Sequence, residues 1–133
     1  MPEFSEHSLK SLSSCDQRLQ KLFLEVVKHF DCTVICGFRD MAAQDAAFNG
    51  GMSKLAWPNS KHNHYPSTAI DAAPYPVVWE DEERFYYFAG FVKGVASQMG
   101  LAIRCGADWD GDMQVKDENF IDLDHFEIIS DKQ

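Results

Sequence analysis

Histidine and aspartate residues lie close together in two polar segments of the chain. The segment SKHNHYPSTAID contains His62 and His64 and ends at Asp71, and the later segment DLDH contains Asp122 and His125. Two imidazole nitrogens and one carboxylate oxygen, with a fourth position left to water, form the ligand set of a catalytic zinc site. These residue types therefore indicate a zinc site, and the residues alone leave the choice between the first two histidines open.

A zinc hydrolase also needs a carboxylate that accepts a proton from water without binding the metal. Asp122 fits this role, because it precedes His125 by three residues. Positions three apart on a regular strand face opposite sides. We therefore expect Asp122 on an irregular lead-in, with the strand starting near His125. The ordinary alternative is that these histidines are solvated and that Asp71 caps a turn.

Length and composition predict a single domain over residues 1–133, of which residues 1–13 are expected to be flexible or irregular. Hydrophobic residues make up 45% of the 133 positions, which is enough for a buried core. The net charge of −9 excludes nucleic acid as a partner. Because the chain has neither a long apolar run nor an apolar signal core, we expect no membrane insertion, no signal peptide and synthesis in a cytoplasm.

The periodicity of apolar residues favours an α+β fold, with a small antiparallel or mixed sheet packed on helices. Helical spacing starts near Ser14, where Ser14 and Gln17 fit a capping box. The predicted helices are this one, the short MAAQDAAF and the strong DEERFYYFAGFVKGVASQMG, and the predicted strands are CTVICG, STAIDAAPYP, LAIRCG and HFEII.

The four cysteines show no C-x-x-C spacing, so neither a disulfide frame nor a zinc knuckle is indicated. Cys32 and Cys36 occupy alternate positions of a predicted strand and are expected to be small buried core residues. A cysteine nucleophile, Cys36 or Cys105 with His125 and Asp122, lacks a supporting local signature.

A calcium loop is also suggested by the segment DWDGDMQVKDEN, which starts like an EF-hand at Asp108. Met113 stands where such a loop has glycine, and Asn119 stands where it has glutamate. We therefore predict no calcium site there.

Several motifs together resemble the zinc D,L-peptidases of bacterial cell walls. This family contains phage L-alanyl-D-glutamate endopeptidases and D-alanyl-D-alanine carboxypeptidases, and it shares its fold with hedgehog-type domains. Its motif S-x-H, then A-x-D, is similar to Ser60-Lys61-His62 with Ala69-x-Asp71, and its DLPHFEL-like text is similar to DLDHFEI. GFRDMAAQ and RCGADWDGD are similar to two further segments of the family.

The resemblance implies a role for each matching residue. His62, Asp71 and His125 would bind zinc, and Asp122 would be the general base. Arg39 would stabilise the oxyanion or hold a substrate carboxylate. The residues expected to contact substrate are Ser60, His64 and Trp109, the last being either a core residue or a cleft wall. Asp124 replaces the proline usual in the family and is expected to add negative charge beside the site.

The implied function is zinc-dependent cleavage of the peptidoglycan stem peptide by a monomeric phage endolysin of the L-alanyl-D-glutamate endopeptidase type. It would act on the cell wall after release from the cytoplasm. A D-alanyl-D-alanine carboxypeptidase or dipeptidase with the same zinc site is the enzymatic alternative. A zinc-stabilised binding module without catalysis, as in hedgehog-type domains, is the alternative of another class.

Overall fold

The computed structural model of the chain describes residues 2–114 and 122–129. It contains four α-helices and one four-stranded sheet, so the predicted α+β class is confirmed. The helices are α1 (Glu6–Ser13), α2 (Gln17–His29), α3 (Met41–Asn49) and α4 (Glu82–Gln98); the strands are β1 (Cys32–Cys36), β2 (Ala69–Pro74), β3 (Ile103–Cys105) and β4 (His125–Ile128); and a 3₁₀ turn covers Lys61–Asn63.

The sheet has the strand order β1-β2-β4-β3, and every pairing in it is antiparallel. On the central strand β2, Asp71 is paired with Cys36 of β1 on one side and with His125 of β4 on the other. The register of β1 shifts between Val34 and Cys36. Three side chains of possible metal ligands therefore lie in one row across the sheet.

The irregularity in β1 corrects the prediction for its two cysteines. Cys32 is 3% exposed and belongs to the core, as predicted. Cys36 is only partly buried and lies on the wall of a cleft. A bulge breaks the alternation of faces that a regular strand would have, so the rule that placed both cysteines on one buried side fails at Cys36.

The apolar face of α2 matches its predicted helical period, and the buried residues of the helix are Leu19, Leu22, Phe23, Val26 and Val27. The predicted capping box at Ser14 is wrong, because the N-cap of α2 is Asp16, whose carboxylate accepts from the backbone N–H of Arg18 at 2.8 Å. Ser14 is instead the C-cap of α1, and its hydroxyl accepts from the N–H of Phe38 at 2.9 Å.

The expectation of a flexible or irregular segment over residues 1–13 is wrong for Glu6–Ser13, which form α1. Ser5 caps this helix, and Leu12 is buried against the core. Ser8 is buried as well, and its hydroxyl accepts from the N–H of Val34 at 3.0 Å. A helix of eight residues is not stable alone, so contacts with β1 hold it in place.

The core lies between the sheet and the helix pair α2 and α4. Phe126 of β4 packs edge-on against Phe23 of α2 and Phe88 of α4, with ring centroids 5.6 and 6.0 Å apart. Among the described residues, none of the helices combines the length and hydropathy that a bilayer-spanning helix needs. Packing against the helices thus fixes the positions of β2 and β4, the strands that carry Asp71 and His125.

Candidate metal centre

A short turn brings His62 to the sheet. The hydroxyl of Ser60 accepts from the N–H of His62 at 3.2 Å, and the N–H of Ser60 donates to the Asn63 side chain at 3.0 Å. This reciprocal capping closes the 3₁₀ turn and points His62 inward, where it is 3% exposed. His64 follows the turn and is exposed.

Two histidine nitrogens lie beside one carboxylate oxygen. Nε2 of His62 and Nδ1 of His125 are each 3.3 Å from Oδ1 of Asp71. Ligand atoms bound about 2.0–2.1 Å from a tetrahedral zinc ion are roughly 3.3–3.4 Å from one another. The buried Nε2 atom of His62 has no hydrogen-bond partner. Each nitrogen–oxygen spacing and the unpaired nitrogen fit a divalent metal ion. The donor atoms that lie within 4.8 Å of one another form two groups that share Asp71: one contains Cys36 and His62, and the other contains Asp122 and His125.

The other nitrogen of each histidine is held by an acceptor. Nδ1 of His62 donates to the carbonyl of Gly37 at 2.8 Å, and Nε2 of His125 donates to Oε1 of Glu127 at 2.8 Å. A carbonyl only accepts, so the neutral His62 ring keeps its lone pair on Nε2, and the Glu127 carboxylate sets the complementary tautomer of His125. Such outer hydrogen bonds are the usual support of metal-binding histidines.

Without a metal, the charges of the cluster compensate one another. Burial disfavours the charged form of His62, but the neighbouring Asp71 and Cys36 outweigh burial and raise its pKa to about 10. Burial likewise opposes the charge of His125, yet Asp71 and Glu127 raise its pKa to about 9. Burial is also outweighed at Asp71, where the two histidines hold the pKa well below its usual range. Metal binding would release the histidine protons while keeping the carboxylate charge compensated.

Asp122 lies on the irregular lead-in to β4, as predicted. Its carbonyl accepts from the N–H of His125 at 3.1 Å, and one carboxylate oxygen lies within 4.8 Å of ligand atoms of Asp71 and His125. Gly106 packs directly beneath the Asp122 carbonyl, where an added Cβ would collide with the backbone. The glycine therefore permits the close approach that places Asp122 beside the cluster.

Asp124 has a different ionisation from the one its position suggested. Burial and the nearby charges of Asp71 and Asp122 raise the pKa of Asp124 to about 8. The raised pKa leaves Asp124 less negatively charged near neutral pH than its position in the sequence suggested.

Arg39 reaches the outer oxygen of the same aspartate. Its Nη2 atom is 3.3 Å from Oδ2 of Asp71, and its Nη1 atom donates to Oε1 of Gln44 at 3.0 Å. Gln44 is fully buried and donates in turn to Ser53 and to the carbonyl of Leu55. Gln44 thus fixes the guanidinium of Arg39. Both residues lie in the motif GFRDMAAQ, but the sequence alone did not indicate this contact.

The cluster lines a cleft of about 990 Å³. Ser60, Trp79 and Trp109 are among its lining residues, and the Trp109 ring packs 5.2 Å from that of His125. The described lining does not include His64, and its expected contact with substrate stays a prediction. That histidine follows the 3₁₀ turn, not a straight extended segment, and so does not share the inward direction of His62.

A separate acidic group is formed by Asp108, Asp110 and Asp112, whose carboxylates lie within 4.8 Å of one another. Met113, whose type argued against a calcium loop, has a φ of 67° and donates its N–H to the Asp108 carboxylate at 2.8 Å. The residue therefore adopts the backbone conformation for which glycine was expected. Asn119, the other argument against calcium, lies outside the described residues.

Comparison with known proteins extends over almost the whole chain. Residues 2–129 match the family model described as phage L-alanyl-D-glutamate peptidase. The L-alanyl-D-glutamate peptidase of Escherichia phage T5 is 30% identical over 135 aligned positions, covering 96% of this chain and 98% of the relative. The crystal structure of Serratia marcescens L-Ala D-Glu endopeptidase ChiX superposes with a TM-score of 0.74 at 21% identity, covering 96% of this chain and 90% of that one, and shows the shared fold. The chain therefore belongs to the phage L-alanyl-D-glutamate peptidase family.

Proposed function

We propose that the protein is a zinc-dependent endopeptidase that hydrolyses the bond between L-alanine and D-glutamate in the peptidoglycan stem peptide. Family membership supports the reaction. The observation that carries the metal dependence is the placement of two histidine nitrogens, of His62 and His125, at 3.3 Å from one oxygen of Asp71. We further propose that it acts as a monomeric endolysin on the cell wall after release from the cytoplasm.

In this proposal His62, Asp71 and His125 hold the zinc ion. When bound, zinc supplies a Lewis acid that makes water nucleophilic near neutral pH and polarises a carbonyl. Gly37 and Glu127 keep the two imidazole rings oriented through their second nitrogens. The two histidines must be neutral to bind, so the protons they hold in the metal-free cluster leave on loading.

Asp122 is the proposed general base. Its carboxylate is close to Asp71 and His125 but belongs to the irregular lead-in rather than to the paired strand. It accepts a proton from the attacking water and returns it to the departing amine of D-glutamate. Protonation of the leaving nitrogen avoids expulsion of an amide anion, which is a poor leaving group.

Arg39 is proposed to stabilise the developing oxyanion or to bind a substrate carboxylate. It lines the cleft, and its guanidinium is held by Gln44 on one side and Asp71 on the other. A fixed cation beside the reacting carbonyl stabilises charge in the transition state without rearrangement. Ser60 positions His62 by capping its turn, and Trp109 is proposed to contact the stem peptide as part of the cleft wall.

Digestion of purified peptidoglycan tests the proposal. Mass spectrometry of the products should show new L-alanine carboxyl termini and new D-glutamate amino termini. A chelator should abolish the reaction, and added zinc should restore it. Release of free D-alanine would instead identify a carboxypeptidase, and binding to the wall without any new termini would identify a binding module.

A further inference from the structure

We propose that Trp79 forms a sugar subsite in the cleft, where it packs against the muramic acid residue that carries the stem peptide. The inference rests on the proposed function and identifies which part of the peptidoglycan beyond the stem peptide the same cleft binds. It depends on the exposed Trp79 ring at one end of the cleft and on cationic side chains toward the other end.

Trp79 has a supported aromatic surface. The residue lines the cleft and is 54% exposed. Its ring stacks on the ring of the buried Phe85, with centroids 5.4 Å apart and planes inclined by 25°. Arg84 of α4 donates to the carbonyls of Tyr75 at 2.8 Å and Pro76 at 3.1 Å, which ties the segment before Trp79 to the start of that helix. Because Phe85 covers one face of the indole, the other face and the edges can receive a ligand.

The chain topology places Trp79 at the Pro74 end of β2. The chain leaves β2 at Pro74 and reaches Trp79 just before α4. Helix α4 then returns the chain to the opposite end of the sheet, where β3 begins at Ile103, the partner of Ile128 in β4. Since β4 is antiparallel to β2, Ile128 lies at the Ala69 end. The start of α4, and Trp79 with it, therefore lies at the other end.

Cationic side chains of the cleft lie toward the Ala69 end. Glu127 contacts Arg104 at 2.6 Å and Lys61 at 3.1 Å. It is paired with Ala69, the first residue of β2. Arg39 follows β1, which is antiparallel to β2 and therefore ends toward Ala69. All three cations line the cleft, which thus has cations on one side of the metal centre and the aromatic surface on the other.

The proposed substrate has the same polarity. D-Glutamate and the residues after it in the stem carry free carboxylates, which fit the cationic end. On the other side of the scissile bond, the amino group of L-alanine is joined to the lactyl group of muramic acid, so the sugar begins about 7 Å away, two extended residue lengths. An indole offers a broad apolar surface on which the C–H faces of a pyranose ring pack. When the carboxylates lie at the cationic end, the sugar lies at Trp79.

Two soluble substrates with the same stem peptide test the proposal on the full chain. One carries N-acetylmuramic acid on L-alanine, and the other carries only an acetyl group there. The wild-type protein should cleave the muramyl peptide with a kcat/KM about tenfold higher, chiefly through a lower KM, which is the factor that covering roughly 50 Å² of apolar surface supplies. Trp79→Ala should bring the ratio of the two kcat/KM values close to one.

A second variant and a control separate the subsite from folding. Trp79→Leu keeps an apolar contact with Phe85 but has no planar ring, so it should lose the preference for the muramyl peptide as well. Tyr87→Ala removes another aromatic side chain, 74% exposed on α4 and outside the described cleft lining, and should keep the wild-type ratio.

Two results overturn the subsite while leaving the proposed function intact. One is a wild-type protein that cleaves both peptides between L-alanine and D-glutamate with equal kcat/KM. The other is an unchanged ratio in the Trp79 variants, including one in which both substrates are cleaved more slowly by the same factor. A wild-type protein that cleaves this bond in neither peptide nor in purified peptidoglycan would overturn the proposed function, and the subsite with it.

Discussion

Glu127 accepts a hydrogen bond from Nε2 of His125 at 2.8 Å, two residues along the same strand. The same carboxylate receives Arg104 at 2.6 Å and Lys61 at 3.1 Å. Burial works against its charge, but His125 and Arg104 hold the pKa of Glu127 down at about 2. The ionised Glu127 carboxylate therefore holds Nε2 of His125, and Nδ1 of the same ring faces Asp71.

Glu127→Gln should weaken metal binding without removing a ligand. The amide cannot supply the charged acceptor that orients His125, and loss of such a partner typically lowers metal affinity by roughly 10–100-fold. Competition with a chromophoric chelator measures the change. Glu25→Gln is the matched control, because Glu25 pairs with His29 at 3.1 Å on the exposed side of α2 and should leave the affinity unchanged. Equal affinities for the two variants would contradict the orienting role of Glu127.

His62→Ala should lose both metal and activity, whereas His64→Ala should keep the metal. The reason is position: His62 is buried with Nε2 against Asp71, and His64 is exposed beyond the 3₁₀ turn. Metal content of the two purified variants, measured by mass spectrometry, checks this prediction. A reversed pattern would transfer the ligand role to His64.

Asp122→Asn should separate catalysis from metal binding. Removal of a general base typically costs 10²–10⁴-fold in rate, so turnover should fall by about a hundredfold or more. The zinc content should remain near one equivalent, because His62, Asp71 and His125 are retained. Loss of zinc together with activity would make Asp122 a ligand instead.

Arg39→Lys should lower turnover although it keeps the charge. The planar guanidinium contacts Gln44 and Asp71 at the same time, and a lysine ammonium cannot match this fork. Arg18→Lys is the control, since Arg18 pairs with Asp16 on the exposed side of the molecule at 3.0 Å. Steady-state kinetics on soluble stem peptides measures both variants, and an unchanged turnover number for Arg39→Lys would remove Arg39 from the reaction.

The main elements of this fold were predictable because their patterns are long or strongly apolar. The periodic face of α2 and the strand segments around Asp71 and His125 were both found. Helix α1 was missed, since it has only a few apolar residues and depends on contacts such as Ser8 with Val34. The pattern of apolar residues within one short segment does not reveal contacts between residues that are far apart in the sequence.

The candidate site was predictable where the residue type itself indicates a metal ligand, as for His62 and Asp71. Three contributors were not visible in that way. Cys36 faces the cleft because of a bulge, Gln44 acts through Arg39, and Glu127 alternates with a residue of the core. Each depends on register or on a neighbour brought close by folding, which residue spacing alone does not specify.

Asp124→Asn should stabilise the metal-free protein increasingly as the pH rises from about 4 to about 8. Burial and the charges of Asp71 and Asp122 raise the pKa of Asp124 from 3.8 to about 8 in the folded chain. Between these values the folded state holds a proton that the unfolded state has lost, so the contribution of Asp124 to the free energy of unfolding falls with rising pH. Asparagine does not titrate, so this loss is absent in the variant.

Urea unfolding of both proteins at pH 4, 6 and 8 measures the difference, because groups distant from Asp124 titrate alike in the two chains. The advantage of Asp124→Asn should be smallest at the lowest pH and largest at the highest. Asp45→Asn on the exposed face of α3 provides the control and should show no such trend. A difference that does not vary with pH would mean that Asp124 ionises normally beside Asp122, and that the cleft does carry the additional negative charge.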